Sequence, residues 1–299
     1  MVQVVVMMSS YNGEKYIVQQ IDSILRQNGV NVKLVIRDDG SSDNTIKIIK
    51  EYIDRNSNVI LIEGKNIGAK NSFFELSKQV PSADFYAFAD QDDVWKPDKL
   101  YYAVKSLEKL SGCGLYTSSY DVVDKNLNVL KKNAAISSNY TMCESIMYRA
   151  PLGCTIVMNK KLFEIYRMST PLNFRMHDHW AILTAHAINA EIVIDKRVTM
   201  LYRQHENNVV GGDSDYKTRI RRLVNSAIYN KNERQEQACS VFDNYSEYLN
   251  EFNYSILKSI CLYRTSIFNR LKLLFDKRFK IANKKTQLLF KIAVLFGVF

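Results

Sequence analysis

The chain has 299 residues, 46% hydrophobic and 24% charged, the balance of a globular protein with no low-complexity segment. Its net charge of +10 is uneven: residues 1–216 hold 25 basic and 25 acidic residues, whereas 217–299 hold 16 and 6. That excludes a body that grips nucleic acid along its length, and it points a basic C-terminal region at an anionic partner.

Residues 2–8 form a β-prone run without alternation, as in a strand covered on both faces. The run lacks the basic region and small-residue cleavage site of an export signal. Ser9-Ser10-Tyr11-Asn12-Gly13-Glu14 breaks it, and the spacing of Ile17, Ile21, Ile24 and Leu25 predicts a helix over 16–27. A strand over 32–36 ends in Arg37-Asp38-Asp39-Gly40-Ser41-Ser42-Asp43. A helix over 45–53 with Asp43 as N-cap, a strand over 59–62 and a turn at Asn66-Ile67-Gly68 follow. Strands alternating with helices mean a doubly wound, mainly parallel α/β sheet. No GxGxxG or P-loop pattern follows any of these strands.

The next strand, over 84–89, delivers Asp90-Gln91-Asp92-Asp93-Val94-Trp95 to its carboxyl end, where ligand crevices of open α/β sheets lie. Three carboxylates in four positions repel one another unless a cation neutralises them. Oxygen ligands favour Mg²⁺ or Mn²⁺, commonly shared with substrate phosphates. The competing reading is an acidic loop capping the helix that begins near Pro97.

A helix over 98–110, a strand over 115–124, a strand over 153–158 and a helix over 159–167 follow; residues 126–150 carry no clear pattern. Gly153 suits a close backbone approach. His177-Asp178-His179-Trp180 precedes a helix over 181–190, and strands are predicted over 191–194 and 198–202. His177 and His179 lack a third ligand nearby to complete a zinc site. Residues 211–215, Gly-Gly-Asp-Ser-Asp, read as a mobile lid. From residue 217 the pattern is helical, over 217–229, 232–252 and 255–275. The stretch 270–299 mixes lysines with Leu, Ile and Phe: Ile267, Leu271, Leu274 and Ile281 can share a helical face while Lys272, Lys277, Lys280, Lys284 and Lys285 lie largely elsewhere, so the helix can lie in a bilayer interface and be drawn there by anionic lipid. A helical appendage or homo-oligomer contact is the alternative, and no stretch is long and apolar enough for a membrane span. The five cysteines, odd in number and in no CxxC pair, read as reduced thiols of a cytoplasmic protein.

Ser10 to Glu14, Arg37 to Asp43 and Asp90 to Asp93, each at a strand end and in this order, resemble family 2 glycosyltransferases of GT-A fold, closely over residues 1–110. The Asp90-Gln91-Asp92-Asp93-Val94-Trp95 and His177-Asp178 stretches resemble rhamnosyltransferase-like members. The resemblance implies a metal-dependent, inverting transfer from a nucleoside diphosphate sugar to a glycan or lipid-linked acceptor. In it Ser9, Tyr11, Glu14 and Asp39 would serve the nucleotide, with Tyr11 stacking on the base and Asp39 accepting from it. Asp92 would face the ribose or sugar, and Asp93 and His205 would bind Mn²⁺ or Mg²⁺. Arg203 would contact phosphate, and Asp178 would be the base. Asp90, Gln91, Trp95, His177 and Trp180 would line the sugar or acceptor site. It also implies a catalytic domain over 1–216, a helical region over 217–299, a place at the cytoplasmic membrane face in cell-surface polysaccharide synthesis, and dTDP-L-rhamnose as donor. A UDP-hexose donor, a sugar-nucleotide nucleotidyltransferase and a non-catalytic nucleotide-sugar binder are the alternatives.

Overall fold

The computed structural model describes residues 1–134, 141–147, 150–205 and 233–299. The first half alternates as expected: β1 (Gln3–Ser10), α1 (Ile17–Leu25), β2 (Asn31–Asp38), α2 (Thr45–Ile53), β3 (Val59–Glu63), α3 (Ala69–Gln79) and β4 (Phe85–Ala89). The short β5 (Val94–Trp95) leads into α4 (Lys99–Leu107), then β6 (Gly114–Val123) and β7 (Val129–Ala134). After α5 (Met142–Ile146) come β8 (Val157–Asn159), α6 (Lys160–Met168), α7 (His177–Ala187) and β9 (Glu191–Arg203). The C-terminal helices are α8 (Glu233–Tyr245), α9 (Glu251–Leu262), α10 (Ile267–Leu274) and α11 (Lys284–Phe296).

The strands form one mixed sheet in the order β3-β2-β1-β4-β8-β6-β9-β5, with β7 pairing on β6. The β3-β2-β1-β4 half is parallel, and β8 pairs antiparallel with both β4 and β6. This is the GT-A arrangement. β1 shows why its apolar run does not alternate: Val4, Val6 and Met8 pack into the core on one face, with α1, α2 and α4, while Val5 and Met7 pack into the core on the other, with α3, α6 and α7. The carboxyl ends of β1, β2 and β4 therefore emerge side by side.

The C-terminal helices join the second of these cores. Val241, Tyr245, Ile256, Ile260, Leu273, Phe290 and Val294 are buried in the same cluster as Trp180 and Ile182 of α7. The predicted boundary at residue 216, the helix over 217–229 and the lid over 211–215 lie outside the described residues.

Several expectations change. α3 carries no strong sequence signal, because its apolar residues Phe73, Phe74 and Leu76 cluster in one stretch. The strand expected over 153–158 is a 3₁₀ turn, Gly153–Thr155, before the short β8. The helix expected from residue 181 begins at His177, placing Asp178 in its first turn. The two strands expected within 191–202 are one strand, whose register against β6 shifts twice along its length. Asn44, not Asp43, occupies the N-cap of α2, while Asp43 accepts from Thr45 N–H at 3.0 Å. Ile281 is buried in the turn between α10 and α11 instead of sharing a helical face with Ile267. Cys239 of α8 and Cys261 of α9 form a disulfide with Cα atoms 5.3 Å apart, so not all five cysteines are free thiols. Their 22-residue separation hides the pairing, which the α8–α9 hairpin creates.

Candidate active site

A cavity of about 640 Å³ opens at the carboxyl ends of β1, β2 and β4. It is lined by ten of the residues singled out in the sequence: Ser9, Tyr11, Glu14 and Asp39 from the first two strand ends, Asp90, Gln91 and Asp92 after β4, and His177, Asp178 and His205 from farther along the chain.

The first loops are tied together by their own polar groups. Asp38 is fully buried and accepts from Ser10 Oγ at 2.9 Å and from Ser41 N–H at 2.7 Å, so it organises the turn. Asp39 accepts from the guanidinium of Arg37 and from the amides of Ile67 and Gly68 at 3.0 and 2.9 Å. That holds its carboxylate at the cavity wall while leaving acceptor capacity. Tyr11 is 47% exposed beside it, a ring open to stacking. Glu14 accepts from the amide and side chain of Asn44 at 3.0 and 2.8 Å and thereby joins the first loop to the start of α2. Ser9 Oγ donates to Ser72 Oγ at 2.6 Å.

Gln91 occupies the wall differently from the sugar-contacting expectation. Its side-chain oxygen accepts from Tyr11 N–H and its amide donates to Tyr11 C=O, both at 3.0 Å, so both ends of the amide are spent on clamping the β1 loop. A Cβ at Gly13 would run into that amide, so a side chain there would displace the Gln91 clamp.

The acidic loop divides its carboxylates. Asp92 lines the cavity and its Oδ2 lies 2.8 Å from His205 Nε2. The His205 ring stacks on Tyr16 with centroids 4.9 Å apart. Asp93, expected to bind the divalent ion, is fully buried and is not part of the lining. Its Oδ1 accepts from Arg203 N–H at 3.1 Å, and its Oδ2 has no N–H or O–H donor. Ligand atoms of Asp90, Asp93 and Cys154 lie within 4.8 Å of one another. Burial, then the charges of Asp92 and Asp178, push the Asp90 carboxyl up to about 7; burial and its acidic neighbours push Asp93 well up. Carboxylates so close and so poorly solvated suit a hard divalent cation, which would relieve their mutual repulsion.

Arg203, expected at the phosphate, points its guanidinium elsewhere. It is 1% exposed, donating from Nε to Asp92 C=O at 2.7 Å, from Nη1 to Lys125 C=O at 2.7 Å and from Nη2 to Gln19 at 2.6 Å. It shapes the acidic loop from behind. Trp95 is 3% exposed, with Lys99 Nζ 4.8 Å from its ring centroid, and Trp180 is fully buried, donating to Ser169 Oγ at 2.9 Å. Neither tryptophan lines the cavity, so the expectation that they form an acceptor wall gives way to packing.

Asp178 lies across the cavity from the first loops. Its Oδ2 accepts from Gly153 N–H at 3.0 Å and its Oδ1 from His179 N–H at 2.6 Å. Burial pushes its carboxyl up to about 6, against those hydrogen bonds, so it is ionised at neutral pH yet basic enough to take a proton. His177 stacks on Phe73 with centroids 3.8 Å apart and meets Phe88 edge-on at 4.7 Å. Both its ring nitrogens are without hydrogen-bond partners, and burial pushes it down to about 3, so a neutral imidazole borders the cavity. His179 is turned away into the core, with Nε2 2.6 Å from Ser145 C=O and Nδ1 2.9 Å from the Gln237 amide of α8. That rules it out as a zinc partner of His177. Phe73, Tyr16, Met176 and Tyr202 also line the cavity. Sequence reading passed over them because aromatic and apolar residues ordinarily signal packing.

The model of the family described as "Glycosyl transferase family 2" matches residues 5–168. The dTDP-rhamnosyl transferase RfbG of Shigella flexneri is 33% identical over 240 residues, 77% of this chain and 81% of that protein. A second relative, the UDP-Glc:alpha-D-GlcNAc-diphosphoundecaprenol beta-1,3-glucosyltransferase WfgD of Escherichia coli, is 30% identical over 160 residues, 52% of this chain and 60% of its own length. Among solved structures, S. aureus TarS 1-349 in complex with UDP-GlcNAc superposes with a TM-score of 0.60 at 17% identity, covering 98% of this chain and 81% of that one. With a family model spanning more than half the chain and a 33% identical relative matched over 81% of its length, the protein is a glycosyltransferase and belongs to family 2.

Proposed function

We propose that the protein is an inverting, metal-dependent glycosyltransferase that moves L-rhamnose from dTDP-L-rhamnose to a hydroxyl of a glycan or lipid-linked acceptor in cell-surface polysaccharide synthesis. The observation that carries the reading is one cavity bordered on one side by the Asp92–His205 pair and on another by Asp178. The donor assignment rests on the rhamnosyl transferase relative.

Tyr11 stacks on the base and Asp39 accepts its imide N–H; Ser9 and Glu14 complete the nucleotide end. Asp93 and His205 would hold a Mn²⁺ or Mg²⁺ ion together with Asp92, which is paired to His205, and Asp90 adds negative charge beside them. When bound, that ion offsets the negative charge of the diphosphate as it leaves. Asp178 takes the proton of the acceptor hydroxyl, and its two backbone hydrogen bonds fix the carboxylate for that transfer. His177 and Asp90 contact the sugar or acceptor. A single displacement on the face opposite the nucleotide inverts the anomeric centre.

A donor screen against dTDP-L-rhamnose, UDP-glucose and UDP-GlcNAc, with product analysis, tests the assignment. Turnover of dTDP-L-rhamnose above the UDP sugars supports it; exclusive use of a UDP-hexose replaces the donor while leaving the site intact. Nucleotide-sugar binding without transfer to any acceptor would make the protein a binder.

A further inference from the structure

The last two helices leave an apolar stripe uncovered although their other faces are packed. On α10, Ile267, Phe268, Leu271 and Phe275 are 66, 73, 41 and 74% exposed, and helical geometry places them within roughly 100° of arc. On α11, Leu288, Leu289, Ile292, Leu295 and Phe296 are 43–70% exposed and fall within roughly 120°. The stripe is no sign of poor packing. Opposite it, Leu273, Phe290 and Val294 are buried, the Phe279 and Phe290 rings stack at 3.9 Å, and Phe299 N–H donates to Tyr263 Oη at 3.0 Å. Arg270 Nη1 reaches Leu295 C=O at 3.5 Å, so the two helices lie side by side.

The rim of this face is cationic. Residues 264–299 contain nine Lys and Arg and one acid, Asp276, which Arg278 takes at 2.6 Å. Lys272, Lys277, Lys280, Lys284, Lys285 and Lys291 are all exposed. No helix among the described residues is long and apolar enough to cross a membrane. At 13 residues α11 spans about 20 Å, short of the roughly 30 Å hydrocarbon core.

We infer that the α10–α11 face seats the protein on an anionic lipid bilayer, its leucines and phenylalanines entering the headgroup–acyl boundary while the lysines meet lipid phosphates. A second copy of the chain is the poorer occupant. An isologous dimer through this face would oppose two surfaces of the same strong positive charge, and a bilayer of anionic lipid complements both the charge and the grease.

The test is co-sedimentation of the full chain, without nucleotide or acceptor, with vesicles of phosphatidylcholine alone or mixed with phosphatidylglycerol. The expected result is about tenfold or more preference for the anionic vesicles, lost at high salt. Phe268→Ser with Phe275→Ser and Phe296→Ser, and separately glutamine at Lys277, Lys280, Lys284 and Lys285, each lower binding about tenfold or more. Leu289→Trp in the otherwise unchanged chain gives a second readout that does not depend on those variants folding: its emission shifts to the blue on anionic vesicles only. Equal binding to both vesicle types, no binding at low salt, or a dimer that the Phe268 and Phe275 substitutions dissolve would overturn the inference. Because no donor is present, its failure would leave the transferase assignment standing.

Discussion

Gly153 N–H donates to Asp178 Oδ2 at 3.0 Å, and the glycine has no side chain for a reason: a Cβ there would lie 2.7 Å from His177 Nε2 and 3.2 Å from Asp178 Cβ. The 3₁₀ turn before β8 and the first turn of α7 thus meet through one hydrogen bond and one forced absence of atoms. Gly153→Ala is expected to move His177 or Asp178 by a few tenths of an ångström and to lower kcat about 10- to 100-fold, since misplacement near this scale is costly. Steady-state kinetics together with a melting curve check it: kcat falls, while donor KM and Tm change little.

Asp178→Asn keeps the shape and removes the base. Transfer should fall about 10²- to 10⁴-fold, with the Kd for nucleotide sugar unchanged within a factor of about three. Single-turnover product formation and calorimetry on the same preparation separate the two effects.

The same residue sets two pH dependences. With its carboxyl pushed up to about 6, kcat/KM should fall on an acid limb near that value as the base is protonated. For stability, the folded value lies above the unfolded one near 3.8, so the native state binds the proton more tightly. The contribution is complete below about pH 4 and is lost as pH rises through about 6. Asp178→Asn should therefore match the parent chain at pH 4 and exceed it at pH 7 by on the order of 1–3 kcal/mol. Urea denaturation at the two pH values measures the difference.

Trp180 separates packing from catalysis. Trp180→Phe loses the bond to Ser169 and some contact with Phe174 and Tyr245, for about 1–3 kcal/mol of stability. Its acceptor KM should stay within about twofold of the parent, since the indole lies outside the cavity. A large KM change without destabilisation would restore the acceptor-wall role.

The legible parts of the sequence were those in which chain-local chemistry carries the signal. The strand ends with Tyr11, Asp39 and Asp90 to Asp92 could be read because polar residues following unbroken apolar runs have few other uses. The choice between Asp92 and Asp93 could not: adjacent residues on a turn point in different directions, and only the position of β9, with His205 just beyond its end, decides which one reaches the cavity. Arg203 misled because a guanidinium near a phosphate site and one bonded to backbone carbonyls have the same sequence signature. Trp180 misled because the start of α7 at His177 turns it into the core, and helix starts are set by partners in three dimensions. The Cys239–Cys261 pairing depends on how two distant helices pack, which spacing alone does not encode.

Calorimetric titration of the nucleoside diphosphate sugar in Mn²⁺ and in EDTA, with His205→Ala and Asp92→Asn alongside, bears most directly on the account. It predicts binding in Mn²⁺ that weakens about tenfold or more in EDTA and is weak in both variants under either condition. Equal affinity in Mn²⁺ and EDTA, unchanged by either substitution, would contradict it.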